Sequence, residues 1–307
     1  MDAQPTTPAS RWSLRGDVPW SLLMAAVAGC PWYLESAYNT LCSGIIGACA
    51  TGQRTALAAN LAAMGVPRAG YHAWRSFRMF GSAAIDGLRA RAHADVMQWE
   101  VQGKQNLDRA EASGLPVVIW TAHMGSYDAA AAFFSRKLGS RMHAVRRPES
   151  NPRLQAMREK ELRGVEHHQY ATIYNDGNEE ALALGLLRVL GDGQWVALQA
   201  DRALPGLSTF TVEDDGLEWL LPKGPFFLPW AAKAMCLPVF VHQTGPRAHR
   251  AIIHPPIMPA ATRDHRAATL ELARTWVKLL RAQVARYPDQ WFVYERVVRV
   301  AGGHAHD

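Results

Sequence analysis

The sequence predicts an α/β fold: a mixed, mostly parallel central sheet flanked by helices, with a helical N-terminal membrane-associating extension. Three observations point there. From about residue 94 to 300, short runs rich in β-branched and aromatic residues alternate with helical runs, the pattern of strands joined by helices that cover both faces of a sheet. From Pro19 to about His93 the pattern is helical. That first part opens on two nearly charge-free stretches with tryptophans at their edges.

Residues 1–17 are polar and are expected to be disordered. The run "VPWSLLMAAVAGCPWYL" (18–34) follows, broken by two prolines and short of the ~20 apolar residues that a spanning helix needs. A second run, "LCSGIIGACATG" (41–52), is shorter still. With Trp20 and Trp32 as interfacial anchors, the pair reads as helices on or dipping into a membrane surface, against the alternative of a buried helical hairpin. The lead before the first run is long and polar and no A-x-A site follows it, so no secretory signal is read there. "RTALAANLAAMGV" (54–66) is a helix closed by Gly65 and Pro67, and residues 66–92 continue as amphipathic helix.

The core then unfolds in order. "LPVVIWTA" is a strand and "SYDAAAAFFSRKLG" a helix ended by Gly139; "RMHAVRR" is a strand and "NPRLQAMREKELRG" a helix with Pro152 in its first turn. "YATIYN" is a strand, and "NEEALALGLLRVLGDG" a helix with acids at its positive end. Strand "QWVALQAD", helix "GPFFLPWAAKAM", strands "LPVFVHQT" and "HRAIIHPP" and a long helix over 263–287 complete it. No repeat, low-complexity segment or long linker divides this region. The organisation is therefore a polar start (1–17), a helical region (18–93), an α/β core (94–300) and a flexible tail (301–307).

At 307 residues and 49% hydrophobic, the chain can bury a sizeable core. A net charge of +6 and a pI near 9.3 favour acidic partners such as anionic headgroups, acyl carrier protein or nucleic acid, although many basic soluble proteins share this balance. Cys30, Cys42, Cys49 and Cys236 form no C-x-x-C pair and have no histidine at zinc spacing, which fits buried thiols in a reducing compartment. His167 in "HHQ" and the terminal "HAHD" read as a loop and a frayed tail before they read as metal ligands.

The most informative stretch is "VVIWTAHMGSYDAAAAFF" (117–134), where a strand turns into a helix. Active sites of α/β sheets gather at such strand ends, and His123 sits at one. Within a single helix, His123 and Asp128 would diverge by about 140°. They can meet if His123 precedes the helix and Asp128 lies in its first turn, with Gly125 letting the chain fold back. The carboxylate would then hold Nδ1–H and leave Nε2 free as a base. The spacing alone is equally compatible with a surface pair. G-x-S-x-G, Walker and H-E-x-x-H signatures are missing, and "GDGQWV" lacks a third glycine and precedes its strand. A base without an evident covalent nucleophile, phosphate cradle or metal cage favours direct transfer to an acceptor over a ping-pong route.

"AHMGSYD", "RRPESNPRL", "VALQADRALPG", "GPFFLPWAAKAMCLPVFV" and "YPDQWFVYERV" occur in an order that resembles the lysophospholipid acyltransferase superfamily, specifically its bacterial branch of lipid A lauroyl/myristoyl acyltransferases. Arg54 and "NL" at Asn60 extend the likeness into the helical region. The resemblance implies His123 as general base, Asp128 as its orienting partner, and Arg147 near the donor carbonyl or an acceptor phosphate, with Arg146 the competing choice. It further implies Asp201 as support for the site, Arg202 beside it as a substrate-binding residue, and Lys223 and Gly224 at a helix start able to meet an anionic group. Asn151 reads as a helix cap. Phe133, Phe134 and Trp230 are expected to line an apolar acyl groove.

Several residues depart from the branch. The dyad acid is Asp where the lipid A enzymes mostly carry Glu, "ADR" replaces their usual pair, and "WLLPKGPFF" puts a lysine in the Gly-rich segment. Such variants resemble members that acylate other acceptors. The implied activity is fatty acyl transfer from a thioester on acyl carrier protein or CoA to a hydroxyl or amine of a lipid or glycolipid, without cofactor, metal or nucleic acid. The place is the cytoplasmic face of the bacterial inner membrane, peripheral or monotopic. The basic residues of the last helix (Arg263, Arg266, Arg274, Lys278, Arg281, Arg286) would dock acidic carrier protein or headgroups, or form a solvated face. Hydrolysis at the same dyad and a lipid-carrier binding protein without turnover are the rival functions.

Overall fold

The computed structural model of the protein describes residues 31, 33–92, 96–148, 155, 171–174, 178–203 and 207–302. Residues 1–17, most of the first apolar run with Trp20 and Trp32, the expected helix over 151–164 with Asn151 and Pro152 (all but Gln155), His167 and the tail from 303 lie outside the described residues.

Three helices open the described chain: α1 (Glu35–Cys49), α2 (Thr51–Ala63) and α3 (Ala69–Ala92). The core follows as β1 (Gln98–Gln102), α4 (Lys104–Ala112), β2 (Val117–Thr121), α5 (Tyr127–Leu138), β3 (Met142–Arg146), β4 (Ala171–Tyr174), α6 (Glu179–Gly191) and β5 (Trp195–Gln199). Then come β6 (Thr209–Asp214), β7 (Leu217–Pro222), α7 (Gly224–Ala232), β8 (Met235–Gly245), β9 (Ala248–Ile253), α8 (His265–Arg286) and β10 (Val298–Val300).

The main sheet has seven strands in the order β1-β9-β8-β2-β5-β3-β4. The strands β8, β2, β5, β3 and β4 run parallel, as alternation with helices demands. The sheet is mixed because β8 and β9 are joined directly, without a helix, and so pair antiparallel; β1 then adds parallel to β9. Two features were not read from the sequence: the β1–α4 unit, and a small antiparallel sheet β10-β7-β6.

The central strand explains the layering. β2 reads Val-Val-Ile-Trp-Thr with no polar face, and its first four residues are buried. Alternate side chains enter opposite cores: Val118 and Trp120 join one cluster, while Val117 and Ile119 join the other. The first core is closed by α8 through Trp276, Leu280 and Val284, with Phe240 of β8 stacked on Trp276 at 5.0 Å. The second is closed by α4 and α5 through Leu107, Ala110, Ala130 and Leu138. Helices therefore cover both faces.

The N-terminal helices belong to the same body. Asn60 of α2 is fully buried, donates to the carbonyl of Glu295 at 2.6 Å, and accepts from the N–H groups of Val297 and Val298 at 3.1 and 3.2 Å. One amide side chain thus fastens the C-terminal segment, where an unpaired buried N–H would be costly. Among the described residues, no helix is long and apolar enough to cross a membrane. The second apolar run falls on α1 and the start of α2; Leu34, just before α1, and Leu41 and Ile45 within it are exposed.

Candidate active site

His123 lies just beyond the C-terminal end of β2, and α5 begins at Tyr127, so the strand-to-helix joint is as the sequence implied. Gly125 makes the joint possible. Its φ is +53°, and a Cβ there would lie 2.2 Å from the carbonyl oxygen of Val241, so any side chain would collide with β8.

The imidazole is held by Asp201, which follows β5. His123 Nδ1 lies 2.8 Å from Asp201 Oδ1, and the backbone N–H of His123 donates to Oδ2 at 2.8 Å. The indole N–H of Trp291 also donates to Oδ2, at 3.0 Å. Asp201 and Trp291 are fully buried, whereas the His123 side chain keeps 15% of its surface exposed. With the carboxylate accepting, Nδ1 carries the proton and Nε2 presents its lone pair.

This corrects the pairing expected from His-x-x-x-x-Asp. Asp128 does occupy the first turn of α5, but its carboxylate accepts from Arg146 of β3. The reason is directional: α5 turns Asp128 toward β3 and α3, where a Cβ on Gly87 would stand 3.0 Å from the Asp128 Cβ. Successive strand residues point to opposite faces, and the one facing α5 is Arg146; Arg147 is exposed.

The remaining expected residues separate into those near the joint and those in the core. Arg202, next to Asp201, donates to Glu295 at 2.7 Å, which ties the end of β5 to the C-terminal segment. Lys223 caps α7 and is exposed, and Gly224 opens that helix. The start of α7 is anchored to β2 by Trp120, whose indole N–H donates to the carbonyl of Pro225 at 2.9 Å. Phe133 and Phe134, expected at an acyl groove, pack against the core beneath α5. Phe133 stacks on Trp99 at 4.6 Å and Phe134 is buried in the core shared by α4, α5 and the sheet. Trp230 is tied down by a hydrogen bond to the carbonyl of Thr262 at 2.9 Å and packs on Phe227 and His265. Among the described residues, no cluster of His, Cys, Asp and Glu could hold a metal ion.

The last segment is the part that sequence reasoning did not assign to the site. The motif "YPDQWFVYERV" contributes to the family resemblance but by itself assigns Trp291 no role. The N–H of Gly125 donates to the carbonyl of Gln290 at 2.9 Å, and Phe292 N–H donates to the carbonyl of His123 at 2.8 Å. The Gln290 side chain accepts from Gln243 N–H at 2.8 Å and donates to its carbonyl at 2.9 Å. Gln243 in turn donates to Asp86 at 2.7 Å, a carboxyl that burial pushes up to about 6. Beside it, burial draws His249 down to about 4. These groups form a buried polar layer behind the joint.

A family model for bacterial lipid A biosynthesis acyltransferases matches residues 72–298, which include the joint, Asp201 and Trp291. No curated protein matches the chain. Among solved structures, the crystal structure of the 1-acyl-sn-glycerophosphate (LPA) acyltransferase PlsC from Thermotoga maritima is similar at 12% identity and a TM-score of 0.38, over 75% of this chain and 95% of that one. With the match spanning well over half of its residues, the chain belongs to the bacterial lipid A biosynthesis acyltransferase family.

Proposed function

We propose that this lipid acyltransferase moves a fatty acyl group from an acyl thioester, on acyl carrier protein or CoA, to a hydroxyl or amine of a lipid or glycolipid acceptor, with His123 as general base. The observation that carries the reading is the Nδ1 contact to Asp201, which leaves Nε2 free on a ring still open to solvent. The acceptor hydroxyl gives its proton to Nε2 while its oxygen attacks the thioester carbonyl. The C–O bond forms, the tetrahedral species collapses, and the C–S bond breaks. The imidazolium returns the proton to the leaving thiolate. Thioesters are already activated, so the step requires only base, alignment and stabilisation of the developing oxyanion.

Arg146 is the guanidinium best supported for that last task, because Asp128 holds it beside the joint. Arg146→Lys keeps the charge and loses the planar fork, so kcat/KM is expected to fall about tenfold or more, while Arg147→Lys stays near the parent. The reverse order in a steady-state assay would return the role to Arg147.

The reaction is tested by incubating the purified enzyme with acyl-thioester and a lipid extract, and reading products by mass spectrometry. An acceptor that gains one acyl chain is the expected product; thioester consumed with free fatty acid alone would make the enzyme a hydrolase. The acceptor class follows from comparing lipids of cells with and without the gene.

The proposed location is the cytoplasmic face of the inner membrane. Exposed Leu41 and Ile45 on α1, with Tyr71 and Trp74 on α3 beside Arg75 and Arg78, support an interfacial contact. Leu41→Glu with Ile45→Glu alters only exposed positions, so folding should persist while sedimentation with anionic vesicles drops. Unchanged sedimentation would remove α1 from the contact.

A further inference from the structure

We infer that Trp291 is a positioning residue for catalysis: its indole N–H fixes the plane of Asp201, and through it the ring of His123. The inference rests on the proposed role of His123 as base. A carboxylate on a single bond can rotate, and rotation would carry Oδ1 out of line with Nδ1. Oδ2 accepts two N–H groups, from the His123 backbone at 2.8 Å and from Trp291 at 3.0 Å, and these two donors define the carboxylate plane. Oδ1 is then left facing Nδ1 at 2.8 Å.

The donor is itself fixed to the loop that it serves. Trp291 forms a β-bridge with Met124, the residue after His123. Its neighbours bond on either side: Gln290 accepts from Gly125 N–H at 2.9 Å, and Phe292 donates to the His123 carbonyl at 2.8 Å. Base, carboxylate and indole thus move as one unit. The indole is fully buried and packs near Trp219, with ring centroids 6.4 Å apart. A purely packing role would not require the indole nitrogen to face a carboxylate.

The test is Trp291→Phe, which keeps an aromatic ring and deletes the N–H, assayed alone and on an Asp201→Asn background. Loss of one hydrogen bond to a charged group predicts a roughly 10- to 100-fold fall in kcat, with KM within about twofold. The same substitution should then cost little more once Asp201 is Asn, because the amide no longer accepts from Nδ1 and no productive ring orientation is left for the indole to fix. Trp291→Phe within twofold of the parent, while Asp201→Asn is severe, would overturn the positioning role and leave the general-base reading intact. So would a full, additive loss on the Asp201→Asn background, which would mean the indole acts through packing. If both His123→Ala and Asp201→Asn stay within tenfold of the parent, the base reading fails and the inference with it. Should Trp291→Phe not fold by circular dichroism, ¹⁵N-indole NMR decides on folded protein. Asp201→Asn should move one buried indole N–H resonance upfield, and a spectrum with no such change would overturn the inference.

Discussion

His123→Ala is expected to lower acyl transfer by ~100- to 10,000-fold, the usual contribution of a general base. The fold should survive. Alanine removes the Nδ1 contact to Asp201 but keeps both backbone bonds at this position: the N–H donating to Asp201 at 2.8 Å and the carbonyl accepting from Phe292 N–H at 2.8 Å. The measurement is single-turnover transfer from acyl-thioester to acceptor, on protein with a parental circular dichroism spectrum. A residual rate within tenfold of the parent would exclude His123 as the base.

Asp201→Asn is expected to be about as severe, with a loss near 10,000-fold. The geometry says why. The two N–H groups at Oδ2 require an acceptor there, so the amide oxygen must face them and the NH₂ must face His123. An NH₂ cannot accept from Nδ1. The ring is driven to the tautomer with its proton on Nε2, where the acceptor hydroxyl needs a lone pair. Asp128→Asn should be much milder, about tenfold or less, because it weakens the partly exposed pair with Arg146 and leaves the Asp201 contact to His123 in place. The double variant His123→Ala, Asp201→Asn should resemble His123→Ala alone, since a carboxylate with no imidazole to orient has nothing to add. If Asp128→Asn proves the more damaging of the two, the contact seen here is not the one used in turnover.

Much of this was legible because it is local. Strands β2, β3, β4, β5, β8 and β9 and helices α5, α6, α7 and α8 follow from hydrophobic period and from end signals, such as the acids Glu179 and Glu180 in the first turn of α6. The strand-to-helix joint with His123 at its head, and the need for Gly125, are properties of a few consecutive residues. The β1–α4 unit and the small sheet were harder to read. β1 has alternating burial over a short strand, and β10 has three residues whose meaning depends on pairing with β7.

The chain alone determined which side chains stand at a strand end, and the family that their order resembles. Tertiary structure decided which of them touch. His123 and Asp201 are 78 residues apart, and Trp291 lies 90 beyond Asp201; they meet because β2 and β5 are parallel neighbours and the C-terminal segment bridges Met124. The carboxylate five residues away was the closer candidate in sequence, yet the first turn of α5 aims it at Arg146. Phe133 and Phe134 were apolar enough for a groove or a core, and only the docking of α5 against Trp99 and the sheet chose the core. Periodicity specifies a helix and an apolar face. The direction in which a side chain meets its partner depends on the packing of elements distant in sequence, and that information is carried by no single stretch of the chain.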